Sequence, residues 1–138
     1  MSDWYGNSRS NYFRVKDIEK FKVFCARWGV EFIAKSDKPE LIGFLGRSEY
    51  GGLPSYLTEE AQDGEMRELD SDDFYKELAE QLKDGEVAVL VESGAQKLAY
   101  ISGISIAVNS KGETLSVDIN DIYEKAKTLG ENITKAEQ

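Results

Sequence analysis

Histidine is absent from the sequence, and cysteine and proline are scarce. Without histidine the chain lacks the commonest general base near neutral pH and the commonest zinc ligand, which argues against metalloenzymes and histidine-dependent triads. The single cysteine, Cys25, excludes an internal disulfide and lies in an apolar helical pattern, so we expect a core residue in a reducing compartment. No apolar run approaches the ~18 residues of a membrane span, and the first residues do not resemble a secretory leader. These absences predict a cytoplasmic protein with no membrane partner.

Motifs for catalysis, cofactors or metals are also missing. Carboxylates are numerous, but their spacing is not that of a calcium-binding loop. The glycines at 51–52 and 43–46 lack the spacing of phosphate-binding or dinucleotide-binding loops, and turns explain them more simply. We therefore predict a protein that is not an enzyme, with no catalytic residue, no cofactor and no metal.

The negative charge of the chain is concentrated in one segment, from Glu59 to Glu86. The segment holds twelve carboxylates and three cations, so its net charge of −9 equals that of the whole chain. Residues 1–28, in contrast, have a net charge of +3. A surface with this much negative charge attracts basic partners and repels nucleic acid and anionic membranes.

Four acids of the predicted second helix follow the i, i+4, i+7, i+11 pattern, which places them in one stripe: Asp73, Glu77, Glu80 and Asp84. Phe74, Leu78 and Leu82 lie on the opposite side, so the helix can dock through its apolar side and present carboxylates to water. Together with the preceding loop, this face gives the predicted partner-binding residues: Glu59, Glu60, Asp63, Glu65, Glu68, Asp70, Asp73, Glu77, Glu80 and Asp84.

The remaining patterns predict the order of elements. They are a strand at 11–16 with Phe13 and Val15 facing the core, a helix at 18–28 capped by Asp17 and stopped by Gly29, and a hairpin of 30–35 with 41–46 around the turn 36–40. A long loop at 47–68 follows, with a short helical turn at 58–62, then a helix at 72–83 capped by Asp70 or Ser71. Strands at 86–92 and 98–108 flank a turn at 93–96, and a strand at 113–117 precedes a final helix that is capped by Asp118 or Asn120 and ends at 129–130.

This order predicts an α+β fold in which an antiparallel sheet has helices on one face. Its first six elements match the ferredoxin-like βαββαβ core, to which a C-terminal β-hairpin or strand and a helix are added. We expect a single domain over residues 1–130 and a frayed tail at 131–138.

The clustered carboxylates and the opening string Arg9-Ser10-Asn11-Tyr12-Phe13-Arg14-Val15-Lys16-Asp17 resemble a class of mobile-element proteins. The charge pattern is similar to that of small acidic inhibitors of host defence encoded by phages and plasmids, the anti-restriction and anti-CRISPR proteins. The opening string is similar to the start of uncharacterised proteins carried on mobile elements. The resemblance implies an inhibitor whose acidic face mimics nucleic-acid phosphates and blocks a basic nucleic-acid-binding effector or nuclease. It carries over no individual residue.

Other interpretations stay open at this stage. The acids can be a solubilising face on a generic protein-interaction domain, which includes a homodimer held by apolar contacts. Direct nucleic-acid contact through Tyr12 and Arg14 would need a sheet with exposed aromatics, but the acidic segment would repel the strand. We therefore expect a protein partner and no direct nucleic acid.

Overall fold

The computed structural model describes residues 4–47, 51–97 and 99–136. Within these residues, in chain order, lie β1 (Trp4–Ser10), α1 (Ile18–Trp28), β2 (Val30–Lys35), β3 (Lys38–Gly46), β4 (Tyr56–Glu60), β5 (Met66–Asp70), α2 (Ser71–Gln81), β6 (Val87–Gln96), β7 (Tyr100–Asn109), β8 (Thr114–Asp118) and α3 (Asp121–Ala126). No helix in the described residues is long and apolar enough to cross a membrane.

Six of the strands form one sheet in the order β2-β3-β1-β6-β7-β8, and β4 pairs with β5 in a separate two-stranded sheet. Every pairing between neighbouring strands is antiparallel. The predicted α+β class with an antiparallel sheet is therefore confirmed, although the chain is richer in strands than the sequence patterns indicate.

Helix α1 has the predicted bounds. The Asp17 side chain accepts a hydrogen bond from the Lys20 N–H, and Gly29 ends the helix at φ 70°, a left-handed conformation that favours glycine. Cys25 is buried as predicted, and burial raises the pKa of its thiol to about 12. An ordinary amphipathic pattern with two good caps was enough to place this helix.

The core lies between one face of the large sheet and the helices α1 and α2. Phe74 of α2 is fully buried at its centre, with ring centroids 5.4 Å from Phe24, 5.2 Å from Trp28 and 5.8 Å from Phe44. Alternate residues of β3 and β6 complete this cluster, while the residues between them face the other side of the sheet. That other side exposes apolar side chains in the described part of the chain, and Tyr5 and Ile101 are among them.

The first strand lies earlier than predicted. Strand β1 ends at Ser10, and the predicted strand at 11–16 is reduced to single bridges from Phe13 to Ile42 and from Val15 to Leu82. Both side chains are buried as predicted. On the face of β1 that meets the core, the residues after Trp4 are small (Gly6, Ser8 and Ser10), and the Ser10 hydroxyl accepts from the Phe44 N–H at 2.9 Å. Gly6 and Asn7 are residue types that strands disfavour, so the patterns favour the following segment.

Two turns also differ from the prediction. Strand β3 already starts at Lys38 and includes Pro39, which is tolerated because the β2–β3 register shifts at this end. Residues 93–96 are the end of β6 and pair with β1. The Trp4 ring packs closely on the backbone at Gly94, where a Cβ would lie only 2.1 Å from the ring. Leu98, where the next strand was expected to start, lies outside the described residues.

The predicted loop at 47–68 contains a β-hairpin, β4–β5, although its residues 48–50 lie outside the described ones. The helical turn expected at 58–62 is wrong, because residues 58–60 belong to β4. Leu57 pairs with Leu69 and packs against the core, whereas charged residues occupy most other positions. Because charged residues fill most positions, a search for apolar runs does not detect the two-residue alternation of these strands.

The last two helices are shorter than predicted. Helix α2 ends at Gln81 because Leu82 leaves the helix and bridges to Val15 in the core. Helix α3 follows Asn120, one of the two predicted caps, but the Asn120 side chain makes no capping hydrogen bond, and the helix ends at Ala126. Strand β8 agrees with the predicted strand to within one residue. Residues 137 and 138 of the predicted tail lie outside the described residues.

Candidate functional site

The acidic hairpin, defined here as β4, β5 and the connecting residues 61–65, holds six of the ten predicted partner-binding residues. They are Glu59, Glu60, Asp63, Glu65, Glu68 and Asp70. Its turn is closed by the Ala61 N–H donating to the Glu65 carbonyl at 2.8 Å, and Gly64 supplies the positive φ of 85° that this turn requires. The Asp63 carboxylate accepts from the Glu65 N–H at 3.0 Å. The sequence between the strands is thus a short, well-made turn.

The two faces of the acidic hairpin differ in character. One face includes the facing pairs Leu57–Leu69 and Glu59–Arg67 and turns towards the helices. The other face consists of exposed residues, which are Tyr56, Thr58, Glu60, Met66, Glu68 and Asp70. Asp63 and Glu65 in the turn are exposed as well. The hairpin therefore directs most of its carboxylates away from the core.

Arg27, at the end of α1, connects the acidic hairpin to both helices. Its Nη2 lies 3.0 Å from Oε1 of Glu59 and 3.1 Å from Oε2 of Glu77, and its Nε lies 2.9 Å from Oε1 of Glu77. The Trp28 indole N–H donates to the same Glu77 carboxylate at 3.1 Å, and Arg67 pairs with Glu59 from within the hairpin. We call Arg27, Glu59, Glu77 and Arg67 the Arg27 cluster.

The Arg27 cluster is only partly open to water, and its charges are strongly stabilised. The side chains of Arg27, Glu59 and Glu77 keep 30%, 22% and 28% of their exposure. Hydrogen bonds from Arg27, and then from Arg67, lower the pKa of Glu59 to about 2, while the bonds to Glu59 and Glu77 raise the pKa of Arg27. Two of the ten predicted residues thus hold the structure together and have little capacity left for a partner.

The pKa of Glu59 predicts an acid-dependent contribution to stability. Because the folded-state pKa of about 2 lies below the ordinary 4.5, the contribution is complete above pH 4.5 and disappears as the pH falls through about 2. We expect wild type to lose its stability advantage over a Glu59→Gln variant in that window. Urea unfolding of both proteins at several pH values measures this difference, in which the titration of the other carboxylates largely cancels. An advantage that is unchanged at pH 2 would contradict the assignment.

The predicted stripe on α2 is interrupted in the structure. Glu77 faces Arg27, and Asp84 lies beyond the end of the helix at Gln81. Asp73 forms a capping box with Asp70, in which each side chain accepts from the other residue's N–H, at 3.1 and 3.0 Å. Glu80 and Asp84 are exposed. Phe74, Leu78 and Leu82 are buried on the opposite side, as predicted.

We define the acidic surface as the exposed members of the predicted set. They are Glu60, Asp63, Glu65, Glu68, Asp70, Glu80 and Asp84. Asp72, which is exposed in the first turn of α2, adds to the same charge. The residue that sequence reasoning missed is Arg27, because its partners lie 32 and 50 positions away. An arginine in the last turn of an amphipathic helix was the only signal.

The chemistry available to this surface is electrostatic attraction and hydrogen-bond acceptance. In the described residues no three carboxylate or thiol side chains converge where they could hold a metal ion. The carboxylates are well placed to accept hydrogen bonds from lysine and arginine side chains, which are the strongest hydrogen bonds between proteins. Tyr12 and Arg14, considered above for nucleic-acid contact, lie after the end of β1, and the Arg9 guanidinium is 5.5 Å from the centroid of the Tyr12 ring.

No protein-family model matches the chain, and comparisons with the curated proteins and with the solved structures find no match either.

Proposed function

We propose that the protein is a non-enzymatic inhibitor that acts in the cytoplasm and binds a basic, nucleic-acid-handling protein through the acidic surface. In this proposal the carboxylates take the place of nucleic-acid phosphates in a groove lined with lysine and arginine, as in anti-restriction and anti-CRISPR proteins. The partner is a defence effector or nuclease, and no direct nucleic acid, membrane or cofactor is involved.

The observation that carries the proposal is the attachment of the acidic hairpin by the Arg27 cluster. Arg27 contacts Glu59 in β4 and Glu77 in α2, so the hairpin and the helix are fixed to one another through a single guanidinium. A fixed array of carboxylates loses less conformational entropy on binding than a mobile acidic loop, which leaves more of the interaction energy for affinity. A merely solubilising surface needs no such attachment.

The distribution of charge supports the same interpretation. The exposed face of the acidic hairpin carries Glu60, Glu68 and Asp70, and alternate residues on one face of a strand lie about 7 Å apart. Arg67, the one cation of the acidic hairpin, contributes little relief, since it is already paired with Glu59. Such a field speeds association with a basic partner at low ionic strength and weakens as salt screens it.

We also propose a ferredoxin-like topology for the part of the chain that supports this surface. The order β2-β3-β1-β6 with antiparallel neighbours, and α1 and α2 packed on one face, support this assignment. The acidic hairpin is then an insertion between β3 and α2, and β7, β8 and α3 are a C-terminal addition. An insertion of this kind can acquire charge without disturbing the core.

Capture from a bacterial lysate tests the proposal. Immobilised wild-type protein should retain a basic nucleic-acid-binding protein at low salt and release it at high salt. A variant with neutral isosteres, Glu60→Gln, Asp63→Asn, Glu65→Gln and Glu68→Gln, should bind the same protein about tenfold or more weakly. Glu77 is left unchanged, because its substitution would break the Arg27 cluster.

The matched control removes the same number of charges elsewhere. Glu19→Gln, Asp37→Asn, Glu40→Gln and Glu131→Gln change exposed acids outside the acidic surface, and this variant should bind like wild type. Equal weakening in both variants would mean that only net charge matters. A partner that resists high salt and binds both variants would favour the alternative, a generic interaction domain with a solubilising acidic surface.

A further inference from the structure

Strand β8 forms one outer edge of the large sheet and exposes apolar side chains. Leu115 and Val117 keep 79% and 64% of their exposure, although they stand on a regular strand next to β7. Both project to the sheet face opposite α1 and α2, as their pairing with Ala107 and Ser105 requires. The edge therefore combines an open strand with two aliphatic side chains in water.

The hydrogen bonds at the two ends of the β7–β8 ladder fix which residues of β8 bond to β7. The Asn109 N–H donates to the Glu113 carbonyl, and the Ile119 N–H donates to the Gly103 carbonyl. In antiparallel pairs, directly opposite residues alternate between bonded and non-bonded. Odd-numbered residues of β8 thus bond to β7, and even-numbered residues direct their N–H and C=O groups outwards.

The outward groups of β8 are those of Thr114, Ser116 and Asp118. The Asp118 N–H donates to the Asp121 carboxylate at 2.9 Å, which agrees with its outward direction and caps that end of the edge. In the described part of the chain no such cap covers the N–H of Thr114 or Ser116. Unpaired outward groups on an edge are a template for an added strand.

The opposite edge of the sheet, strand β2, has the protection that β8 lacks. Its register with β3 shifts between Ala34 and Lys35, which interrupts a regular edge. Lys35 and Glu31 place charges along it, and Glu31 is paired with Arg47 at 3.0 Å. Natural edge strands are guarded against pairing by such charges and irregularities. The residues Leu115, Ser116 and Val117 carry no charge and form no bulge.

We propose that a second copy of this chain adds to the sheet at β8, with the two β8 strands antiparallel about Ser116. The two Ser116 residues then exchange N–H and C=O bonds, and the Thr114 N–H of each copy reaches the Asp118 carbonyl of the other. Leu115 of one copy lies opposite Val117 of its partner on the same face. The result is one continuous sheet through both copies, with twofold symmetry.

The sequence of β8 favours a second copy as the occupant. In this register the strand is complementary to itself, since each aliphatic residue meets an aliphatic residue and Asp118 meets Thr114 rather than another acid. Glu113 likewise meets Ile119. No like charges face each other across the new pair, where they would be destabilising. The acidic hairpin belongs to the separate β4–β5 sheet, so this inference does not depend on the proposed function.

Molar mass in solution tests the proposal. By sedimentation equilibrium, wild type should reach twice the 15.5 kDa of the chain as its concentration rises. Ser116→Pro removes an outward N–H without removing a bond to β7, and Leu115→Lys puts a charge opposite Val117. Each should weaken dimerisation about tenfold or more. Val23→Lys, at a similarly exposed aliphatic residue of α1 (68%), should leave it unchanged.

A mixture of two variants tests the register itself. Leu115→Lys and Val117→Glu should each dimerise poorly alone, but their mixture should form a heterodimer in which the lysine faces the glutamate and Val117 faces Leu115. Circular dichroism confirms that each variant is folded. A wild-type protein that stays monomeric at high micromolar concentration would overturn the proposal. A dimer that survives both Ser116→Pro and Leu115→Lys would equally overturn it, because the interface would then lie elsewhere.

Discussion

Replacing Phe74 by alanine is expected to lower the free energy of unfolding by about 3–5 kcal/mol. The ring is fully buried and touches aromatic residues from α1, β3 and α2 itself, so its removal leaves a cavity that rigid neighbours cannot fill. Because a typical domain is stable by only about 5–15 kcal/mol, this single change removes a large part of the total.

Urea unfolding of wild type and Phe74→Ala measures the loss. Phe74→Leu keeps much of the volume and should cost clearly less than the alanine variant. Val23→Ala, at an exposed position of α1 (68%), should change the free energy by no more than about 0.5 kcal/mol. A loss below about 1 kcal/mol in Phe74→Ala would contradict the central place of this ring.

Replacing Arg27 is expected to loosen the acidic hairpin more than any other substitution of a single charged residue. Arg27→Ala leaves the carboxylates of Glu59 and Glu77 without their main partner in a site that is about three-quarters closed to water. We expect a loss of about 2 kcal/mol, less than the 3–5 kcal/mol of a fully buried pair because solvent screens part of the effect. Arg27→Lys should recover little, since one ammonium group cannot reproduce the bidentate contact with two carboxylates.

Hydrogen exchange shows where this loss falls. Amides of β4 and β5 should exchange at least about tenfold faster in Arg27→Ala. The exchange rates of amides in β6 and β7 should rise only by as much as the lower global stability requires. Arg67→Ala is the matched control, because its side chain is 59% exposed and its loss leaves the bonds from Arg27 in place. Exchange in the acidic hairpin that is unaffected by Arg27→Ala would contradict the role of the Arg27 cluster.

The parts of the fold that could be predicted are those in which local signals agree. Helix α1 has an amphipathic pattern, an aspartate cap and a glycine stop, and all three indicate the same bounds. Burial of Phe13 and Val15 also followed from alternation, although the residues form bridges and not a strand. Local patterns thus predict which side chains are buried more reliably than they predict which strands or residues those side chains pack against.

Strand β1 and the acidic hairpin could not be predicted because non-local contacts decide them. On the face of β1 that meets the core, the residues after Trp4 are small, because the Trp4 ring and the core leave little room there. In β4 and β5 the alternation is carried by Leu57 and Leu69 among charged neighbours. The pairing of β1 with β6 and the packing of Leu57 and Leu69 outweigh the weak strand propensities of these segments. Neither contact can be recognised in a short window of sequence.

The candidate site was also only partly predicted, because non-local contacts decide the role of some of its residues. Charge counting along the sequence identified the segment, and Glu60, Asp63, Glu65 and Glu68 are exposed in the structure. It could not separate these from Glu59 and Glu77, whose roles depend on an arginine far away in the sequence. Counting charges gives the net field of a surface, whereas the distinction between supporting and available carboxylates requires the fold.

A competition experiment tests whether the acidic surface occupies the nucleic-acid site of its partner. The basic protein that is retained from the lysate, once purified, is loaded with fluorescently labelled nucleic acid and titrated with this chain at two salt concentrations. We expect the chain to displace the nucleic acid, more weakly at high salt, and the variant with Glu60, Asp63, Glu65 and Glu68 neutralised to fail. A ternary complex, or displacement by that variant as efficient as by wild type, would contradict phosphate mimicry by the acidic surface.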